Sequence, residues 1–121
     1  MERAADVFKR KKVMYLYRTK FDAAHYIPGH EKCGSVHGHT YRVRVFIESS
    51  GPIDFNEIDS KMSEIIDKFD HKMLGGITAE EIAEKIFDMA SAVFKVKKVV
   101  LFETDKYAVV VSHGKQSSKS K

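Results

Sequence analysis

Residues 39–48 alternate well between two faces. Tyr41, Val43, Val45 and Ile47 share one face, and Arg42, Arg44, Phe46 and Glu48 share the other. That two-residue period is a strand with one apolar face. Residues 13–21, VMYLYRTKF, are rich in β-branched and aromatic side chains and also predict a strand. The period then changes. Phe55, Ile58, Met62, Ile65, Ile66 and Phe69 form one stripe of a 3.6-residue repeat, and Asp54 ahead of Glu57 offers the cap of a first helix. Thr78 and Glu81 form a capping box for a second, whose stripe runs through Ile82, Ala83, Ile86, Phe87, Ala90, Val93 and Phe94. Residues 96–103 and 107–112 predict two strands joined by the short turn Thr104-Asp105-Lys106. Residues 22–38 and 70–77, both glycine-bearing, read as a long loop and a break.

The predicted order is β-β-α-α-β-β. This is an α+β protein in which two helices cover one face of a four-stranded antiparallel sheet. The other face, with Arg42, Arg44 and Glu48, has no helix left to cover it. It is either wet or set against another subunit, and we expect the latter because a small sheet with open edges invites pairing.

At 121 residues the chain has room for one core. We expect a basic extension over 1–12, one domain over 13–113 and a polar, disordered tail over 114–121. No stretch approaches the roughly 18 apolar residues that cross a bilayer, and no apolar segment follows the basic start, so a cytoplasmic protein with no membrane partner is expected. The net charge of +4 belongs to the ends. Residues 1–12 and 115–121 each carry +3, which leaves the residues between them at −2. That distribution argues against a nucleic-acid partner.

Candidate chemistry concentrates in residues 21–41, FDAAHYIPGHEKCGSVHGHTY, with four of the six histidines and the one cysteine. His37 and His39, two apart at a strand start, project from one face, and His25 on an antiparallel partner can join them. Three imidazoles make an open zinc site of the catalytic kind, although His-x-His pairs also occur as ordinary surface or core histidines. Gly38 between them would let the backbone pass close to the metal. Cys33 is open to three readings: a fourth ligand, an inert thiol, or a nucleophile or base. Asp70 beside His71 is either a plain helix end or a carboxylate–imidazole pair for acid–base work. Glu103, after four apolar residues, is either a strand-end charge or the polar anchor of an apolar pocket.

The strings FDAAH, CGSVHGHTY, IDFNEI, DHKMLGG, TAEEIA and FETDKY, spread in order over residues 21–107, resemble the 6-pyruvoyltetrahydropterin synthase family. Cysteine, three residues, then His-Gly-His is closest to its 6-carboxytetrahydropterin synthase branch. The resemblance implies the tunnelling fold, in which three sheets close into a β-barrel and two trimers stack into a homohexamer with shared active sites. It implies Zn2+ on His25, His37 and His39, Cys33 as proton acceptor, and Asp70 and His71 completing its relay from a neighbouring subunit. Glu103, helped by Thr104, would hold the guanidine-like edge of a pterin. The implied reaction is zinc-dependent conversion of 7,8-dihydroneopterin triphosphate to 6-carboxy-5,6,7,8-tetrahydropterin with loss of triphosphate and acetaldehyde, toward 7-deazaguanine nucleosides of the queuosine type. A pyruvoyl- or folate-pathway relative shares every one of these residues. A non-catalytic zinc or purine-binding module is the alternative of a different class, and it needs neither Cys33 nor the Asp70–His71 pair. Two features depart from the family pattern: the first twelve residues, and the short Met73–Gly76 link between the helices.

Overall fold

The computed structural model describes residues 3–31 and 34–114. Its elements are α1 (Ala4–Arg10), β1 (Val13–Tyr26), β2 (His37–Ser49), α2 (Phe55–Ile66), β3 (Lys72–Gly76), α3 (Ala79–Ser91), β4 (Lys95–Phe102) and β5 (Ala108–Ser112). The strands form one sheet in the order β3-β1-β2-β4-β5. All pairings are antiparallel apart from β3, which runs parallel to β1.

This corrects the expected four-stranded antiparallel sheet. The fifth strand lies in the segment read as a break, and its glycines serve the pairing. A Cβ on Gly76 would stand 2.9 Å from the Tyr26 ring and 3.0 Å from Pro28, and Gly75 has a φ of +87°, open to glycine at little cost. β1 also runs five residues past its predicted end. That extension puts His25 on a strand, directly opposite His37.

The expected division of faces holds. Tyr41, Val43, Val45 and Ile47 are fully buried under α2 and α3, with Val99 and Leu101 beside them. The helices start where their caps dictate. Asp54 accepts the Asn56 N–H at 2.7 Å, while Thr78 accepts the Glu81 N–H at 3.2 Å and the Glu81 carboxylate accepts the Thr78 N–H at 3.0 Å. Ile58, Met62, Ile65 and Ile66 of α2 and Ile82, Ile86 and Phe87 of α3 enter the core. Each such fully buried side chain contributes roughly 1.5–3 kcal/mol. Two residues of the predicted stripes do not enter it. Phe55 is 75% exposed, edge-on to Tyr15, and Val93 is 44% exposed. Phe55 opens α2, and Val93 lies two residues past the end of α3.

Residues 4–10 are helical, an element with no apolar stripe to announce it, and Phe8 stacks on Tyr15 at 6.5 Å. Cys33 and the tail from 115 onward lie outside the described residues.

Candidate metal centre and the groups around it

His25, His37 and His39 come together at the end of β1 and the start of β2. The register sets His25 opposite His37 and Ala23 opposite His39, so all three rings leave the helix-covered face. Ring centroids are 4.5, 5.2 and 4.8 Å apart, and one nitrogen from each ring lies within 4.8 Å of the other two. Gly38 takes part without being sterically needed: a Cβ there would meet the Ala23 carbonyl oxygen at an ordinary 3.7 Å.

Hydrogen bonds orient two of the rings. His25 Nδ1 lies 2.8 Å from the Ile77 carbonyl oxygen, and His37 Nδ1 lies 2.8 Å from that of Ser35. A carbonyl oxygen only accepts, so each Nδ1 carries the proton and each Nε2 is left to face the cluster. Ile77 follows β3 directly, so the unpredicted strand supplies the support of His25. His25 is fully buried, and its Nε2 and that of His39 have no hydrogen-bond partner. Buried polar atoms are rarely left so. Burial holds the His39 pKa below its ordinary value, with His25 and His37 adding to the effect and Glu103 opposing it, so the ring favours its neutral, ligating form. Unpartnered imidazole nitrogens converging on one point fit a metal ion.

Glu103 stands at this cluster. Its Oε2 is 3.4 Å from His25 Nε2 and 3.9 Å from His39 Nε2. Thr104, next in sequence, serves the β4–β5 turn: its Oγ1 accepts the N–H groups of Lys106 and Tyr107, both at 3.2 Å.

The structure brings Asp70 and His71 together, at 3.1 Å between Oδ2 and Nδ1, but not beside the imidazoles. They gather with Asp22, whose side chain leaves the opposite face of β1 from His25. Two backbone bonds clasp the pair to that strand. The Asp22 N–H donates to Asp70 Oδ1 at 3.0 Å, and the His71 N–H donates to the Asp22 carbonyl at 2.6 Å. His71 takes a φ of +57° to make this turn. The Asp22 carboxylate accepts the hydroxyl of Thr40, its partner across the ladder. The Asp22 N–H, more than His71, holds the Asp70 carboxyl below its ordinary pKa. Asp22 and Thr40 carried no signal of their own in the sequence; only the register between β1 and β2 joins them to the pair.

Fold and site define a class: a small α+β protein whose sheet carries a three-histidine centre able to hold a metal ion. The family model for 6-pyruvoyl tetrahydropterin synthase matches residues 15–114, and the chain belongs to that family of enzymes. It is 39% identical over 103 residues to an Archaeoglobus fulgidus protein provisionally named 6-carboxy-5,6,7,8-tetrahydropterin synthase, covering 76% of this chain and 90% of that one. It is 29% identical to the dihydroneopterin monophosphate aldolase of Pyrococcus furiosus over 110 residues, 81% of this chain and 96% of that one. Among solved structures, the 6-pyruvoyl tetrahydropterin synthase of Caenorhabditis elegans superposes with a TM-score of 0.76 over 86% of this chain and 97% of that one, at 22% identity. That last likeness is one of fold.

Proposed function

We propose that the protein converts 7,8-dihydroneopterin triphosphate and water to 6-carboxy-5,6,7,8-tetrahydropterin, acetaldehyde and triphosphate, with zinc at His25, His37 and His39. The observation that carries the reading is the convergence of three imidazoles, with the inward nitrogens of His25 and His39 lacking partners and the His25 and His37 rings fixed by carbonyls. Three nitrogen ligands leave a position open, as catalytic zinc sites require. When bound, zinc supplies Lewis-acid polarisation of a substrate side-chain oxygen.

The remaining work belongs to this chain's own groups. His25, His37 and His39 hold their geometry through the strand ladder and the Ile77 and Ser35 carbonyls. Glu103, an acceptor at the rim of the cluster, takes the guanidine-like edge of the pterin, as a carboxylate does with paired donors. Cys33 removes a proton from side-chain carbon, and the Asp70–His71 pair moves that proton onward. The pair sits across the sheet from the imidazoles of its own chain, so the relay is completed by a neighbouring subunit. The assembly we propose, from the family resemblance, is a ring of three chains, a hexamer when two rings stack. The product is a precursor of 7-deazaguanine nucleosides.

A second reading follows from the Pyrococcus furiosus relative: an aldolase that cleaves the dihydroneopterin side chain. Incubation of the zinc-loaded protein with dihydroneopterin triphosphate, and separately with the monophosphate, tests both. The carboxy-pterin with equimolar acetaldehyde supports the first reading. Glycolaldehyde phosphate or its triphosphate counterpart supports the second. No turnover of either substrate contradicts both.

A further inference from the structure

Tyr41 is wholly buried, and its hydroxyl has no hydrogen-bond partner. A buried phenol ordinarily finds one. Its ring is tightly placed, stacked on Phe21 at 5.0 Å and edge-on to His39 at 5.5 Å and His25 at 6.0 Å. The ladder that pairs Arg42 with Phe102 carries Glu103, one residue on, to the neighbourhood of Tyr41 on the same face. A phenol hydroxyl has one proton to give, so toward a carboxylate it acts as a donor.

Acceptors are in excess at this point. A carboxylate oxygen and two imidazole nitrogens without partners converge, and the phenol is the buried side-chain donor left over among the described residues. The 3.4 Å between Glu103 Oε2 and His25 Nε2 is close to the roughly 3.3 Å edge of a tetrahedron built on metal–ligand bonds of about 2.0 Å. Unrestrained, Glu103 is therefore placed to become a fourth ligand. A fourth protein ligand closes a site that needs an open position.

We propose that Tyr41 is a positioning residue for Glu103: once a metal ion occupies the three imidazoles, the Tyr41 hydroxyl donates to the Glu103 carboxylate and keeps it off the metal. The carboxylate then stays available to substrate. This rests on reading the three imidazoles as the metal site and Glu103 as facing the substrate.

The test is chelator competition for zinc in the full-length protein, with thermal melts of metal-free and zinc-loaded forms, for wild type, Tyr41→Phe, Glu103→Gln and the double variant. Tyr41→Phe removes an oxygen that has no partner in the metal-free state, so metal-free melting is unchanged or rises. Released Glu103 then ligates, zinc is held about tenfold more tightly, and turnover falls at full zinc occupancy. In the Glu103→Gln background, adding Tyr41→Phe leaves zinc affinity unchanged. Removing a hydroxyl that merely packed would leave zinc affinity unchanged or lower it. Looser or unchanged zinc in Tyr41→Phe, or a metal-free melting point lowered by several degrees, overturns the proposal while leaving the functional reading standing. If Tyr41→Phe does not fold, Glu103→Gln alone decides. Near-wild-type zinc affinity is expected, and a tenfold loss would make Glu103 a ligand and overturn the proposal. Failure of the wild type to bind zinc overturns the functional reading and this proposal together.

Discussion

On the helix-covered face of the sheet, Phe21, Tyr41, Val43 and Val45 lie under two helices, and the same face delivers three imidazoles to one point. On the open face, like stands against like. Arg18 is paired with Arg44 across the ladder, and Lys20 with Arg42. Such directly opposed charges destabilise a sheet. Partial relief comes from Asp105, 3.3 Å from Arg42, and from the Phe102 ring, whose centroid is 5.2 Å from the Arg44 guanidinium. These residues surround a cavity of about 520 Å³. Met14 and Leu16 on the same face are each 51% exposed. The covered face is thus packed beneath two helices, while no element of the described chain covers the open face. The Asp70–His71 pair gathers with Asp22 and Thr40, which belong to the open side. One chain carries both halves of the proposed chemistry but keeps its own sheet between them.

Breaking the covered face has the largest expected effect. His37→Ala and His39→Ala each abolish stoichiometric zinc, read by metal analysis, and lower turnover at least about a hundredfold. Full zinc in both variants removes the metal assignment. Next comes the core beneath the helices. Ile86→Ala costs roughly 2–5 kcal/mol in denaturant unfolding, because it empties a site that is fully buried. Leu16→Ala on the open face costs little within a chain. Its measurable consequence is assembly: Leu16→Lys reduces the mass seen by light scattering from that of at least a trimer, while secondary structure is retained. A wild-type protein of monomer mass at micromolar concentration contradicts the view that the open face is completed by neighbours.

The smallest effect is one of acid stability. The Asp22 N–H and, after it, His71 hold folded Asp70 below its unfolded value of 3.8. A depressed carboxylate contributes stability that is present above the unfolded pKa and is lost as pH falls through the folded one. Asp70→Asn therefore lowers the denaturant midpoint at pH 6, and the gap to wild type narrows as the pH is taken below about 4. A gap that stays constant across that range would show that the clasp to β1 does not depend on the charge.

Much of this architecture was legible in residue order, for local reasons. The alternation at 41–48, the two helical stripes and the Thr78–Glu81 box are patterns a single segment carries. His37 and His39 share a face by strand periodicity alone. What could not be read locally depends on partners. β3 is five residues long with two glycines, and it is a strand only because β1 extends far enough to pair with it. Residues 22–26, DAAHY, lack the β-branched content of a strand and are held in one by β2 and β3. The approach of Glu103 to His25, the isolation of the Tyr41 hydroxyl and the link from Asp22 to Asp70 are all consequences of register. Phe55 misled for the converse reason: its spacing is right, but it opens α2, meets the sheet edge-on at Tyr15 and stays 75% exposed.

We propose that the imidazole cluster and the Asp70–His71 pair serve one reaction across a subunit boundary. This sharing is tested most directly by mixing two variants, His37→Ala and His71→Ala. Each is expected to be inactive alone, the first lacking zinc and the second retaining it. Unfolded together and refolded in the presence of zinc, they form mixed assemblies in which an intact imidazole cluster of one chain meets an intact Asp70–His71 pair of another. Recovery of a substantial fraction of wild-type turnover is expected, greatest near equal proportions. Mixed assemblies, verified by mass, that stay inactive at every ratio would contradict it.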